Sequence, residues 1–178
     1  MIKYFSVEVD ASYHNIPKLL NWKEYSKYRD ISEDTFFQSP KRFIMEIKSK
    51  KNIVCPDILK EPTFMVSEQV YKVIQKFEPN IQWKEVILAG FNLDIDIPMY
   101  YIPLLKNMDC LSSKTEYNTF HNDIIKLVLN KHKLEDKAVF QISQLNKVYI
   151  IMRLDLVEVL LRRDVFGIAM REIELVED

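Results

Sequence analysis

Glycine occurs only twice in this chain of 178 residues, at Gly90 and Gly167. Phosphate-cradling loops need two or three glycines within a few residues, because the backbone itself must approach the phosphate. Neither glycine has a second one nearby, so Rossmann, Walker and kinase-type loops are excluded by composition. Cysteine is as scarce: Cys55 and Cys110 are too few for a disulfide framework and read as buried or half-buried thiols. There are three histidines, His14, His121 and His132, with no H-x-x-x-H or H-E-x-x-H spacing and no C-x-x-C. No metal and no cofactor is expected on those spacings. No run of about 18 apolar residues exists to cross a membrane as a helix. The opening MIKYFSVEVD has no charged segment ahead of a long apolar one, so the expected compartment is the cytoplasm. A basic excess is missing too, with 25 Lys and Arg against 26 Asp and Glu, which argues against a nucleic-acid partner.

What is present is enough apolar residue for a full core: 48% hydrophobic and 12% aromatic residues. Ile2–Val9 alternates like a strand, and Arg42–Lys48 places Phe43, Met45 and Ile47 on one face of another. Asn15–Tyr28 reads as a turn with a short irregular or helical piece. Ser67 is a good helix N-cap after the apolar Phe64–Val66, and Val70, Val73, Ile74 and Phe77 follow helical spacing up to Pro79. Gln82–Leu88 is then a strand. The same grammar returns later: Val148–Met152 is a continuous apolar run expected in a sheet interior. Leu156, Val159, Leu160 and Arg163 repeat helically, and Ile168–Val176 is a last strand after Gly167. At one constant offset Val70 falls on Leu156, Val73 on Val159 and Ile74 on Leu160. That matches a duplicated strand–helix–strand unit, and equally two unrelated units of the same kind. Between them lies the extended Ile97–Leu105, whose Pro98 and Pro103 disfavour a central strand position. A hairpin is expected from Ile124–Leu129 and Ala138–Ile142. The expected fold is one α+β domain over 1–178, with about seven strands in a mixed, mainly antiparallel sheet and two main helices.

The chemistry-bearing candidates each have a plain structural reading. Ser67 between strand and helix lacks the flanking glycines of a nucleophile elbow and is better read as a cap. His121 and Asp123 read as a surface pair, His132 as a solvated turn residue, and Trp22–Tyr28 as a lysine–aromatic mix without the basic surroundings of a base-stacking site. Asp94 and Asp96 fall on one strand face, where a carboxylate pair could serve acid–base work, hold a hard cation or meet a partner. Residues 164–178 carry five carboxylates against Arg171 alone. In the last strand Ile168 and Met170 share one face while Ile173 and Leu175 fall on the other. That requires either a bulge near Arg171–Glu172 or cover on both faces, and it leaves Glu172 and Glu174 on one side.

Three blocks in order resemble a known family. They are FMVSEQVYKVIQKFEPNIQWKEVIL (64–88), MYYIPLLKNMDCLSSKTEYN (99–118) and KVYIIMRLDLVEVLLRRDVFGIAMREIEL (147–175). The arrangement is similar to that of bacterial immunity proteins from polymorphic toxin systems, a family first catalogued as a domain of unknown function. Arg153 stands where that family has a serine-like cap, and Met170 where an aromatic is common. The resemblance implies an immunity-like core over 61–178 behind a strand-and-loop module over 1–60. It also implies a non-catalytic α+β protein that neutralises a cognate protein toxin by direct contact. Asp94, Asp96, Glu172 and Glu174 are then the candidate acidic, toxin-facing residues, since an acidic surface speeds association with a basic cleft. The alternatives are an enzyme of unrecognised class with a carboxylate-lined pocket, and an adaptor with an unrelated partner.

Overall fold

A computed structural model describes residues 2–20, 24, 32–48, 52–90, 97–144 and 147–178. Asp94 and Asp96 lie outside the described residues, and of the Trp22–Tyr28 segment only Glu24 lies within them. In chain order the elements are β1 (Tyr4–Val9), α1 (Glu33–Gln38), β2 (Arg42–Glu46), β3 (Ile58–Leu59), β4 (Met65–Ser67), α2 (Glu68–Phe77), β5 (Trp83–Ala89), β6 (Tyr100–Pro103), β7 (Glu116–Tyr117), β8 (Ile124–Lys126), β9 (Val128–Asn130), β10 (Val139–Gln144), β11 (Lys147–Arg153), α3 (Leu154–Leu161) and β12 (Ile168–Val176).

The α+β class holds, but the single sheet of about seven strands does not. The strands form two five-stranded sheets, β10-β11-β1-β12-β9 and β2-β5-β6-β4-β3, plus the β7–β8 pair. Period-two alternation marks a strand without naming its neighbour, and β1 lies between β11 and β12, its partners from the far end of the chain. The expected hairpin is also replaced. β9 runs parallel to β12 at one edge of the first sheet, and β10 pairs with β11 at the opposite edge. A short 3-10 turn, Lys131–Lys133, starts the route between them. β6 occupies the middle of its sheet despite its prolines. Pro103 is its last residue, opposite Trp83 at the start of β5, and Pro98 precedes Tyr100, so neither ring interrupts the ladder.

The two large sheets are wired alike. In each, two parallel strands joined by a helix flank a middle strand antiparallel to both: β4-α2-β5 around β6, and β11-α3-β12 around β1. In each, an outer strand runs parallel beside the strand that follows the helix, β2 beside β5 and β9 beside β12. In each, another runs antiparallel beside the strand that precedes the helix, β3 beside β4 and β10 beside β11. Only the middle strand differs in chain position: β6 follows its unit, whereas β1 precedes everything. The offset that aligned the helices also carries Met65–Ser67 onto the end of β11 and Trp83–Ala89 onto β12.

Three apolar clusters alternate with the two sheets. The middle one joins both helices, through Val70, Val73, Ile74, Leu156, Val157 and Leu160, to Ile58 and Val66 of one sheet and Val7, Ile150 and Met152 of the other. A second lies on the far face of the β5 sheet with Phe36, Phe43, Met45 and Ile47, and a third on the far face of the β1 sheet with Tyr4, Phe140, Ile151 and Ile173. β11 is therefore covered on both faces, as its unbroken apolar run predicts. Phe77 and Val159 are half-buried at the margin of the middle cluster, and Val157 takes the inner position beside Leu156 and Leu160. β12 has no bulge over its pairing with β1. Its first half packs Ile168 and Met170 on the middle cluster and its second half packs Ile173 and Leu175 on the third, which explains the change of phase.

Both helices start as their sequences dictate, in different ways. Ser67 caps α2, its Oγ accepting from the Val70 amide. Arg153 caps α3 with no side-chain bond, and its guanidinium instead holds Asp155 and Asp136. Asp57 links the two units. Its Oδ1 accepts from Ser67 Oγ at 2.5 Å and its Oδ2 from the Phe166 amide at 2.9 Å. Its own amide donates to the Phe166 carbonyl, and its carbonyl accepts from the Ser67 amide.

Val73 is 1% exposed and Leu160 0%. Val73→Ala and Leu160→Ala are each expected to lose about 2–4 kcal/mol in urea unfolding, transfer energy plus cavity. An unchanged midpoint in either would show that the helices do not carry the core. Asp57→Ala leaves the Phe166 amide and the Ser67 hydroxyl without their acceptor and should cost about 2 kcal/mol. A wild-type melting temperature would show that the link between the units is dispensable.

Candidate functional site

On the face of the first sheet that turns away from the helices, alternate residues of three strands form a floor: Ser6 and Glu8 of β1, Lys147 and Tyr149 of β11, Ala169 and Arg171 of β12. The small side chains of Ser6 and Ala169 leave a hollow between the larger ones. Asp123–Leu127, the β8 arm of the small hairpin, forms the facing wall, and Lys60, Glu61 and Phe64 stand at one end. The groove so enclosed holds about 930 Å³, the size of a roomy ligand or peptide site.

The hairpin is held over the floor by polar contacts. Asn118 organises its turn, with Oδ1 accepting from the amides of Asn122 at 2.9 Å and Asp123 at 3.2 Å. His121 takes the left-handed conformation there, with φ 58 degrees at Asn52 being the comparable turn elsewhere and φ 50 degrees at His121 itself. Asp123 then reaches across to β11, pairing with Lys147 at 2.6 Å and accepting from the Tyr149 hydroxyl at 3.4 Å. The expected His121–Asp123 pair is therefore not made: His121 lies beside the Tyr117 ring, and Asp123 belongs to Lys147.

The charges lining the groove are matched in pairs. Besides Asp123–Lys147 there are Glu8–Lys60 at 3.4 Å, Glu174–Lys126 at 2.7 Å and Glu172 with Lys3 at 2.8 Å. The hydrogen bond from Lys147 holds the Asp123 carboxyl below its ordinary range, and Lys126 does the same to Glu174. Two lining charges are exceptions among the described residues: Glu61 has no cation within ion-pair distance, and no carboxylate pairs with the exposed guanidinium of Arg171, the one lining cation so placed.

Of the four residues expected to face a partner, Glu172 and Glu174 lie at the β12 edge of this groove, on the strand face opposite to that of Arg171, each with a lysine against it. Asp94 and Asp96 lie outside the described residues. Sequence reasoning missed Arg171, and it missed Lys126 and Lys147, whose partners Glu174 and Asp123 come from distant parts of the chain. The sign alternation at Arg171–Glu172 was visible, but its neighbours depend on a pairing that no local pattern states.

The remaining chemical candidates are dispersed. Both cysteines are free, and burial pushes the Cys110 thiol up to about 11. His14, His121 and His132 are exposed. Among the described residues no three His, Cys, Asp or Glu side chains converge as metal ligands. No described helix is long and apolar enough to cross a membrane. Comparison with protein-family models and with curated proteins finds no match.

The Asp123 pairing has a direct readout. By carbon-detected NMR its carboxyl should titrate below the 3.8 of an unperturbed aspartate, and Lys147→Ala should move the midpoint upward. Because the folded value is the lower one, the pair's contribution is present above that pH and is lost as pH falls through the folded midpoint. An unshifted Asp123 would mean that the hairpin is not tied to β11 in solution.

Proposed function

We propose that this chain is a non-catalytic binding protein, an immunity protein that neutralises a cognate bacterial toxin by direct protein–protein contact. The observation that carries this reading is the ionic pairing of the groove. A general acid working near neutral pH needs a carboxyl raised by burial or by a like charge. Here Asp123 is half-exposed and Glu174 exposed, and both are lowered by lysines. A surface of mostly matched charges, with a guanidinium that no described carboxylate pairs and with exposed apolar side chains beside it, suits a protein partner better than a reacting small molecule. Those apolar side chains are Ile125 on the groove wall, 62% exposed, and Phe120 near the hairpin turn, 83% exposed. The ordered resemblance of residues 64–88, 99–118 and 147–175 to immunity proteins supports the same reading and supplies the class of partner.

The test is co-expression with the toxin-like product of the neighbouring gene. Growth should be restored by the chain, and the two purified proteins should co-elute. If the neighbour is harmless, or its toxicity is unaffected by the chain, the immunity reading fails.

A further inference from the structure

The repeat within the fold exposes a vacancy at the groove. In the β5 sheet, β2 runs beside five residues of β5, Arg42–Glu46 against Glu85–Ala89. In the β1 sheet the equivalent strand, β9, meets β12 only at Glu174–Val176. Upstream of β9 the chain turns away, because β8 pairs with β7 through Glu116↔Lys126 and Tyr117↔Ile124. Among the described residues no strand lies beside the edge of β12 before Glu174, and residues 169–174 at that edge line the groove.

The phase of that edge follows from one bond. The Asp10 amide donates to the Gly167 carbonyl at 3.0 Å, in register with the β1–β12 ladder. Residues facing each other in an antiparallel ladder alternate between bonded and non-bonded pairs. Gly167, Ala169, Arg171 and Ile173 therefore turn their peptide groups toward β1. Ile168, Met170 and Glu172 turn theirs the other way, in the plane of the sheet toward the open edge of β12, and among the described residues no strand pairs with them there.

We propose that an extended segment of the protein partner adds here as a strand, bonding to the outward groups of Ile168, Met170 and Glu172 and placing a carboxylate against Arg171. Main-chain bonds of this kind supply affinity, and the side chains beside them supply specificity. The occupant's charge follows from the groove: among the described residues every other cation lining it already has a carboxylate, whereas none pairs with Arg171. The site rests on the binding reading above and adds where and how the partner is held.

The probe is a series of capped hexapeptides alternating threonine and valine, with glutamate, glutamine or lysine at the third position. Titrated to millimolar concentration, the glutamate peptide should slow amide exchange at Ile168, Met170 and Glu172, and should bind about fivefold more tightly than the lysine peptide. Glu172→Pro and Glu172→Ala separate the causes, since both remove the carboxylate but only proline removes the outward amide. Proline is tolerated on a strand edge whose N–H faces away from its partner. Glu172→Ala should bind within about twofold of wild type, and Glu172→Pro about tenfold or more weakly. Arg171→Gln, which leaves the backbone intact, should abolish the preference for glutamate over lysine.

No protection at these three amides, equal binding by the proline and alanine variants, or an undiminished charge preference in Arg171→Gln would each overturn the proposal. The growth assay separates the two readings. If the folded Glu172→Pro chain rescues as well as Glu172→Ala, the immunity function stands and this edge is not its interface. If the wild-type chain fails to rescue while the peptide protects the edge, the site stands and the toxin assignment falls.

Discussion

Asp57 is 8% exposed and uses all four of its polar positions to join the two halves of the molecule. On one side it holds Ser67, the cap from which α2 starts. On the other it holds Phe166, one residue before the glycine that launches β12. Gly167 has φ 72 degrees, and a Cβ there would run into the Pro56 ring beside Asp57. Two constraints therefore meet at one place, a carboxylate that fastens the turn and a close approach that only glycine permits. The direction in which β12 leaves that turn sets one wall of the groove, so the geometry of the site depends on a contact outside it.

Much of the local structure was legible because each signal lies within a few residues. The Val70–Phe77 spacing, the Ser67 cap and the unbroken Val148–Met152 run all describe environments a side chain meets within its own element. The partners of the strands were not legible. Ile124–Leu129 and Ala138–Ile142 are close enough in sequence to suggest a hairpin, yet β9 and β10 lie at opposite edges of one sheet. Pro103 misled for a related reason: a proline's cost depends on whether its position needs a donor, and at the end of β6 that position is the last in the ladder. Glu172 and Glu174 were found as a pair from their shared face. Lys3, just before β1, and Lys126 of β8, which pair with them, lie on segments whose proximity no local pattern encodes.

An exposed strand edge invites unwanted pairing, and charged side chains are a common safeguard. Here Arg171, Glu172 and Lys126 line the gap between β12 and β8. When two β12 strands align in register, these side chains would bring like charges together. Charges that work against self-pairing do not close the same edge to a segment of complementary charge.

The position of β1 has a consequence for the order in which the chain can fold. During synthesis Tyr4–Val9 emerges first, but its two neighbours, β11 and β12, emerge last. The sheet built on β2 to β6 is complete by Pro103 and can form while the rest is still being made. The first strand must instead wait, carrying Tyr4, Phe5 and Val7 unpaired, until Ile168–Val176 has left the ribosome. Such distant pairings are slow to close and leave apolar strands exposed meanwhile. The two equivalent sheets thus differ most in time: one is assembled from neighbours, and the other is closed by joining residues 4–9 to strands more than 140 residues further on.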